Sequence, residues 1–294
     1  MQTVPAKSIV TRNRDTGWFG CEYNMNLYRG CCHGCIYCDS RSDCYRIEQF
    51  GAVRAKEDAL RIVRDELRRK VRTGVVATGS MSDPYNPFER EEKLTRHALE
   101  LLAAYGFGVA IATKSDLVMR DTDILAEIAE RAPVLVKLTI TTLDDALAAK
   151  LEPNALPPSR RLEALRCLAG AEIFTGVLLM PVLPFLEDNE ENVLSVLRAA
   201  AGAGARFVYA YFGVTLRDSQ RAYFYDCLDG QFPGLRERYA SRFGERYDCR
   251  SPRAGKLMRL YQEECGRLGL LWKMQDIVRA NRQGYGDTQL RFEI

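Results

Sequence analysis

The chain lacks any long apolar run. Its longest apolar stretch, residues 174–186, is interrupted by Gly176, Pro181 and Pro184, and it is too short and too broken to span a bilayer. The opening MQTVPAKSIVTRNRD contains no apolar block of the kind that marks a secretory signal, so the chain reads as cytoplasmic with no membrane partner. Internal repeats and low-complexity linkers are also missing. Neither charge dominates: 42 Lys and Arg against 39 Asp and Glu leave +3 over 294 residues. That balance permits a phosphate-bearing substrate without demanding one. With 47% hydrophobic and 28% charged residues, the composition excludes a disordered or fibrous chain and suits a soluble globular enzyme.

Cysteine is what the chain has in excess. There are ten, and without a secretion signal they are not expected to be disulfide staples, because the cytosol keeps thiols reduced. Five of them, Cys31, Cys32, Cys35, Cys38 and Cys44, fall within fourteen residues, a density that points to metal or redox chemistry.

Along the middle of the chain β-rich runs alternate with helical patterns. Strands are expected at 22–27, 74–78, 108–113, 134–141, 173–180 and 206–211. In the first crossover Leu60, Val63, Leu67 and Val71 recur at helical spacing. Further helices are expected at 90–104, 122–131, 159–168 and 190–201. Six strand–helix units imply a parallel sheet with helices outside. A closed eight-unit barrel needs about 250 residues, so the expectation is an α/β fold, a partial (β/α)6 TIM-like barrel, with an open doubly wound sheet as its rival. After Gly213 the alternation stops. The tail is aromatic and helical, with Leu257, Leu260, Tyr261 and Cys265 at helical spacing. The expected organisation is a lead-in over 1–20, a barrel core over 21–213 and a helical C-terminal extension over 214–294 packed on the core, in a monomer.

The decisive segment is Tyr28-Arg29-Gly30-Cys31-Cys32-His33-Gly34-Cys35-Ile36-Tyr37-Cys38. Cys31, Cys35 and Cys38 form a C-x3-C-x2-C spacing. Most four-iron clusters take four thiolates, so three thiolates on one loop leave an iron open. An open coordination position separates a catalytic centre from a closed structural one. A structural zinc site is the alternative, but no second ligand pair appears downstream, and His33 between two cysteines is cramped for a fourth ligand. Cys32 and Cys44 read as spectators. Cys227, Cys249 and Cys265 have no ligand-like spacing, which argues against a second cluster.

This spacing, its place after the first strand and the Tyr37 before the last cysteine resemble the radical S-adenosylmethionine (SAM) superfamily. The blocks Thr78-Gly79-Ser80-Met81-Ser82-Asp83-Pro84-Tyr85-Asn86-Pro87, Thr113-Lys114-Ser115, Leu151-Glu152-Pro153 and Met180-Pro181 are similar to the spore photoproduct lyase-like branch over about residues 20–205. The resemblance implies a 4Fe-4S cluster and S-adenosyl-L-methionine as cofactors, and an external one-electron reductant of flavodoxin or ferredoxin type. It implies reductive cleavage to a 5′-deoxyadenosyl radical that abstracts hydrogen from a substrate.

Barrel active sites gather where strands end. Ser80 and Asp83 follow the second strand and are candidates for the cofactor's ammonium group. The resemblance implies a cofactor-binding Lys114 after the third. Thr139 and Thr141 at the fourth are candidates for ribose contacts, Tyr37 for the adenine, and Met180 for packing on the adenine. Cys249, Tyr223 and Tyr225 are candidate hydrogen-atom donors from the tail. The branch's lyase carries a cysteine immediately before the strand-two serine, where this chain has Gly79, and a tyrosine after the last cluster cysteine, where this chain has Asp39. The cofactor chemistry is therefore carried over and the DNA-repair activity is not. An iron–sulfur electron carrier or redox sensor without cofactor turnover is one rival. A nucleic-acid-binding protein with a structural cluster is the other, and it requires steeply salt-dependent binding by the Arg-rich tail.

Overall fold

The computed structural model describes residues 1–285; the last nine residues of the expected extension, 286–294, lie outside them. The chain enters through β1 (Thr3–Val4) and β2 (Val10–Arg12), then passes β3 (Tyr23–Met25) and β4 (Tyr28–Arg29) into the cysteine loop, leaving it at β5 (Arg54–Lys56). The alternation that follows is α1 (Ala59–Arg68), β6 (Val75–Thr78), α2 (Glu89–Glu92), α3 (Leu94–Ala104), β7 (Gly108–Thr113), α4 (Thr122–Ala129) and β8 (Val134–Thr139). It continues through α5 (Asp145–Leu151), α6 (Pro158–Gly170), β9 (Thr175–Leu179), α7 (Glu190–Gly202) and β10 (Phe207–Ala210). The tail comprises β11 (Gly213–Thr215), α8 (Asp218–Gln231), α9 (Leu235–Phe243), β12 (Asp248–Arg250), α10 (Ala254–Leu268) and α11 (Met274–Arg282).

Six strands, β3 and β6 to β10, run parallel in chain order, with β2 antiparallel on the outer edge of β3. The sheet does not close, because β10 and β2 are its two ends; this is the partial barrel expected. The start of the free side of β10 is covered by backbone bonds with the segment at Leu271, Val208 N–H donating to Leu271 O at 3.0 Å and Leu271 N–H to Arg206 O at 3.0 Å, which shortens the edge left for pairing. Trp18 and Phe19 bring the lead-in to this edge, their rings 5.3 and 5.7 Å from that of Tyr209.

Two apolar layers hold the barrel. Outside, α1 buries Ala59, Val63 and Leu67 against the sheet with α3, α4, α6 and α7. Inside, the lower lumen is filled by Phe19, Cys21, Val75, Ala110, Leu135, Phe207 and Ile277, as alternate residues of each strand point inward.

Local departures from the expected elements have local causes. The helix expected over 90–104 breaks into α2 and α3 at Lys93, whose φ of +50° cannot continue a helix. Helix α1 stops at Arg68, so Val71 is fully exposed rather than on its apolar face. The helical tail also contains a two-stranded antiparallel ribbon, β11 with β12. No helix among the described residues is long and apolar enough to cross a membrane.

Candidate functional site

The cysteine loop is fastened where it begins. Gly30 has φ +84°, and a Cβ there would stand 2.4 Å from the Ala52 carbonyl oxygen, so only glycine admits this close approach. The Cys31 N–H donates to Phe50 O at 2.8 Å, and the Cys38 N–H to Cys35 O at 3.3 Å. Residues 151–154, at the end of α5, strap the loop from the barrel side. Ile36 N–H donates to Leu151 O at 2.9 Å, and Asn154 donates through its backbone to His33 O and through its side chain to Cys32 O, each at 3.0 Å.

Beneath the strap lies Glu152, 2% exposed. The Tyr37 hydroxyl donates to one of its oxygens and the Arg161 guanidinium to the other. Arg161, itself buried, also donates to Thr139 O at 2.9 Å and Leu156 O at 2.7 Å. The Lys114 ammonium is 3.8 Å from Glu152 and 5.7 Å from the Tyr37 ring centroid. Burial pushes the Glu152 carboxyl up, but the Arg161 and Lys114 cations outweigh it and hold the group below its ordinary value. Burial likewise pulls Lys114 down, and Cys35 and Glu152 more than reverse it.

Asp83 is a second knot. Its Oδ1 accepts from the Thr113 hydroxyl at 2.7 Å and Tyr85 N–H at 2.9 Å, and its Oδ2 from Lys114 N–H at 2.8 Å. His33 Nδ1 lies 3.5 Å from Oδ2. Burial lowers the His33 pKa against the pull of Asp83. From outside, α8 closes on the loop: Gln220 donates to Tyr37 O at 3.2 Å, Arg217 to Asp39 at 2.6 Å and Ser219 to Asp43 at 2.6 Å. The Arg41 guanidinium stands 4.0 Å from the Tyr223 ring centroid.

The donor set fits a multi-iron core. All three motif cysteines are free. Burial pushes the Cys31 thiol up to about 12 and the Cys35 thiol higher still, so their thiolates need a positive partner, which iron supplies. Among the described residues no three His, Cys, Asp or Glu side chains converge as ligands of a single metal ion. Thiolates on separate irons do not need to meet at one point as zinc ligands do. Asn26 Oδ1, near the strand ends, is buried without a hydrogen-bond partner among the described residues, an acceptor free for a ligand's N–H or O–H.

Beside this network the lumen opens into a cavity of about 580 Å³. The expected cofactor residues divide between the two places. Ser80, Thr139 and Met180 line the cavity, whereas Tyr37, Asp83 and Lys114 sit in the hydrogen-bonded layer under the cysteine loop. Thr141 is buried behind them, its carbonyl accepting from Asn192 at 2.8 Å. Of the tail candidates, Cys249 and Tyr225 are buried in the apolar cluster that the tail shares with Cys35, Ile36 and Tyr37 of the cysteine loop, and Tyr223 faces Arg41; none of the three lines the cavity. Sequence reasoning assigned no role to Arg161, Glu152 or Lys137. The last had a signal, a lone charge in the apolar strand Val-Leu-Val-Lys-Leu-Thr.

The model of the Radical SAM superfamily matches residues 25–197, and the chain belongs to that superfamily. It is accordingly an enzyme whose cofactors are a 4Fe-4S cluster and S-adenosylmethionine. An uncharacterized protein of Mycobacterium tuberculosis is 33% identical over 243 residues, covering 80% of this chain and 71% of that protein. A spore photoproduct lyase variant shares the fold with a TM-score of 0.68 and 15% identity, over 92% of this chain and 80% of that one. The lyase complexed with dinucleoside spore photoproduct gives 0.66 and 16%, over 91% and 79%.

Proposed function

We propose that Cys31, Cys35 and Cys38 hold the cluster and leave its fourth iron for the methionine end of S-adenosylmethionine, and that the substrate occupies the lumen cavity. When bound and reduced, the cofactors supply a 5′-deoxyadenosyl radical able to abstract hydrogen from carbon. Lys114 offers its ammonium to the methionine carboxylate, and Asp83 and Ser80 offer oxygens to the ammonium. Thr139 and Met180 form the wall between that position and the cavity, with Thr141 behind. Tyr37, pinned by Glu152, keeps the cluster loop fixed over the strand ends and excludes water from its underside. Helix α8 of the C-terminal extension caps the loop from outside and leaves one face for a one-electron reductant of flavodoxin or ferredoxin type.

The observation that carries this reading is the meeting of Lys114 and Asp83, from the strand ends, with Tyr37 and His33 of the cysteine loop, next to a substrate-sized cavity. A simple electron carrier has no use for that cavity. The test is anaerobic reconstitution with iron and sulfide, followed by dithionite and S-adenosylmethionine, with chromatography for 5′-deoxyadenosine. Formation of that product supports the proposal. A fully loaded cluster whose reduced EPR spectrum is unmoved by S-adenosylmethionine overturns the open-iron assignment.

A further inference from the structure

Lys137 is 3% exposed and projects from β8 into the lumen, where its register partners are Ala112 on β7 and Gly176 on β9. Ala112 lines the cavity beside it, whereas the place above Gly176 is filled by the Phe207 ring. The other buried cations are partnered: Arg161 by Glu152, and Arg221 by the carbonyls of Gly244, Leu216 and Arg246. Lys137 is different. Among the described residues no oxygen accepts from its Nζ, and its neighbours are the Phe19 ring, 4.5 Å to the centroid, and the Cys21 thiol.

A cation buried without a partner is unfavourable. Burial pulls the Lys137 pKa down to about 8, which still leaves most of the group charged at pH 7. The cavity it faces carries Arg14 as a second cation and Asp15 as its carboxylate, and the latter is already engaged by the Gly17 N–H at 2.8 Å. The lining thus carries two cations, Arg14 and Lys137, against one carboxylate. Lys137 also lies two residues before Thr139 on the same face of β8, a layer further from the cysteine loop than the strand ends.

From these observations we infer that Lys137 is the anion-binding residue of the lumen cavity, and that the substrate enters with a carboxylate or phosphate group seated against its ammonium. The inference rests on the reading of this cavity as the substrate chamber. It names the class of substrate: a small molecule carrying an anionic group.

The experiment uses cluster-loaded protein without reductant, so anion binding is read separately from cofactor cleavage. Thermal unfolding is followed with inorganic phosphate and with acetate, against sodium chloride at equal ionic strength. The wild type is expected to gain a few degrees in Tm, since a ligand that binds only the folded state stabilises it. The anion with the larger gain identifies the group. Lys137→Met, which keeps the stem and removes the lone charge, is expected to unfold at a higher temperature than the wild type in chloride and to lose the anion response. Lys137→Arg is expected to retain it. As a measurement on the wild type alone, cyanate at pH 8 should carbamylate Lys137, and the favoured anion should slow this at least tenfold while leaving exposed lysines unaffected. An absent response in the wild type, or an equal response in Lys137→Met, overturns the inference. So does loss of S-adenosylmethionine binding in Lys137→Met, which would give the ammonium to the cofactor.

Discussion

A Cβ on Gly79 would stand 1.9 Å from the carbonyl oxygen of Ala112. Gly79 follows β6 at φ +94° and lines the cavity beside Ala112 of β7. By the sequence resemblance, this glycine stands against the cysteine expected immediately before the strand-two serine in the lyase that gives the resembled branch its name. Here the backbone leaves no room for any side chain, so the chain has more than a missing thiol: it has closed the place where one would stand.

Gly79→Ala is therefore expected to destabilise the protein by ~2 kcal/mol or more, because both the conformation and the contact exclude a Cβ. Chemical denaturation measures this. A variant as stable as the wild type would mean that β6 and β7 do not approach as described.

Glu152 joins Tyr37 of the loop to Arg161 of α6. Removing the carboxylate leaves a buried guanidinium without its ion partner, and breaking such a pair costs roughly 3–5 kcal/mol. Glu152→Ala should thus lower stability by that order and reduce iron bound per chain on reconstitution. Stability lost with iron content unchanged would show that the strap is dispensable for loading the loop.

The pattern of what could be read from sequence follows the range of the interactions. The C-x3-C-x2-C spacing and the six strand–helix units are local, and both were legible. Lys93 broke one expected helix by taking an αL conformation, with the buried Glu89 carboxylate accepting from Thr95 N–H across the break at 2.7 Å, and periodicity records neither. Glu152 was visible only as part of a Leu-Glu-Pro block. Its purpose depends on Tyr37, 115 residues earlier, and no spacing rule links the two. The isolation of Lys137 likewise belongs to the lumen as a whole, since a lone lysine in a strand acquires meaning only when every neighbour lacks a carboxylate.

Lys114→Met tests the carboxylate-binding role proposed for this ammonium. The expected result is normal iron content with S-adenosylmethionine affinity weakened at least about tenfold, roughly 1.4 kcal/mol, measured by equilibrium dialysis under anaerobic conditions. Unchanged affinity would remove Lys114 from the cofactor site and leave it as a partner of Glu152 alone.

Glu187 supplies a prediction for pH. It is fully buried, with Leu183 N–H donating to Oε2 at 2.9 Å and Oε1 without a partner among the described residues. Burial lifts its pKa from an ordinary 4.5 to about 8. Between those values the unfolded chain gives up a proton that the folded chain keeps. The stabilisation from Glu187 is thus complete below about pH 4.5 and is lost as pH rises through 8. Comparing Tm from pH 5 to 8.5, Glu187→Gln should fall less steeply than the wild type. Parallel curves would mean that Glu187 is ionised in the folded protein.

The most direct test of the central claim is the yield of 5′-deoxyadenosine from anaerobically reconstituted, dithionite-reduced protein in three forms: wild type, Cys35→Ala and Cys32→Ala. The account predicts product from the wild type, none from Cys35→Ala and a measurable yield from Cys32→Ala. Equal loss in both variants, or product persisting in Cys35→Ala, would contradict the assignment of Cys31, Cys35 and Cys38 as the cluster ligands.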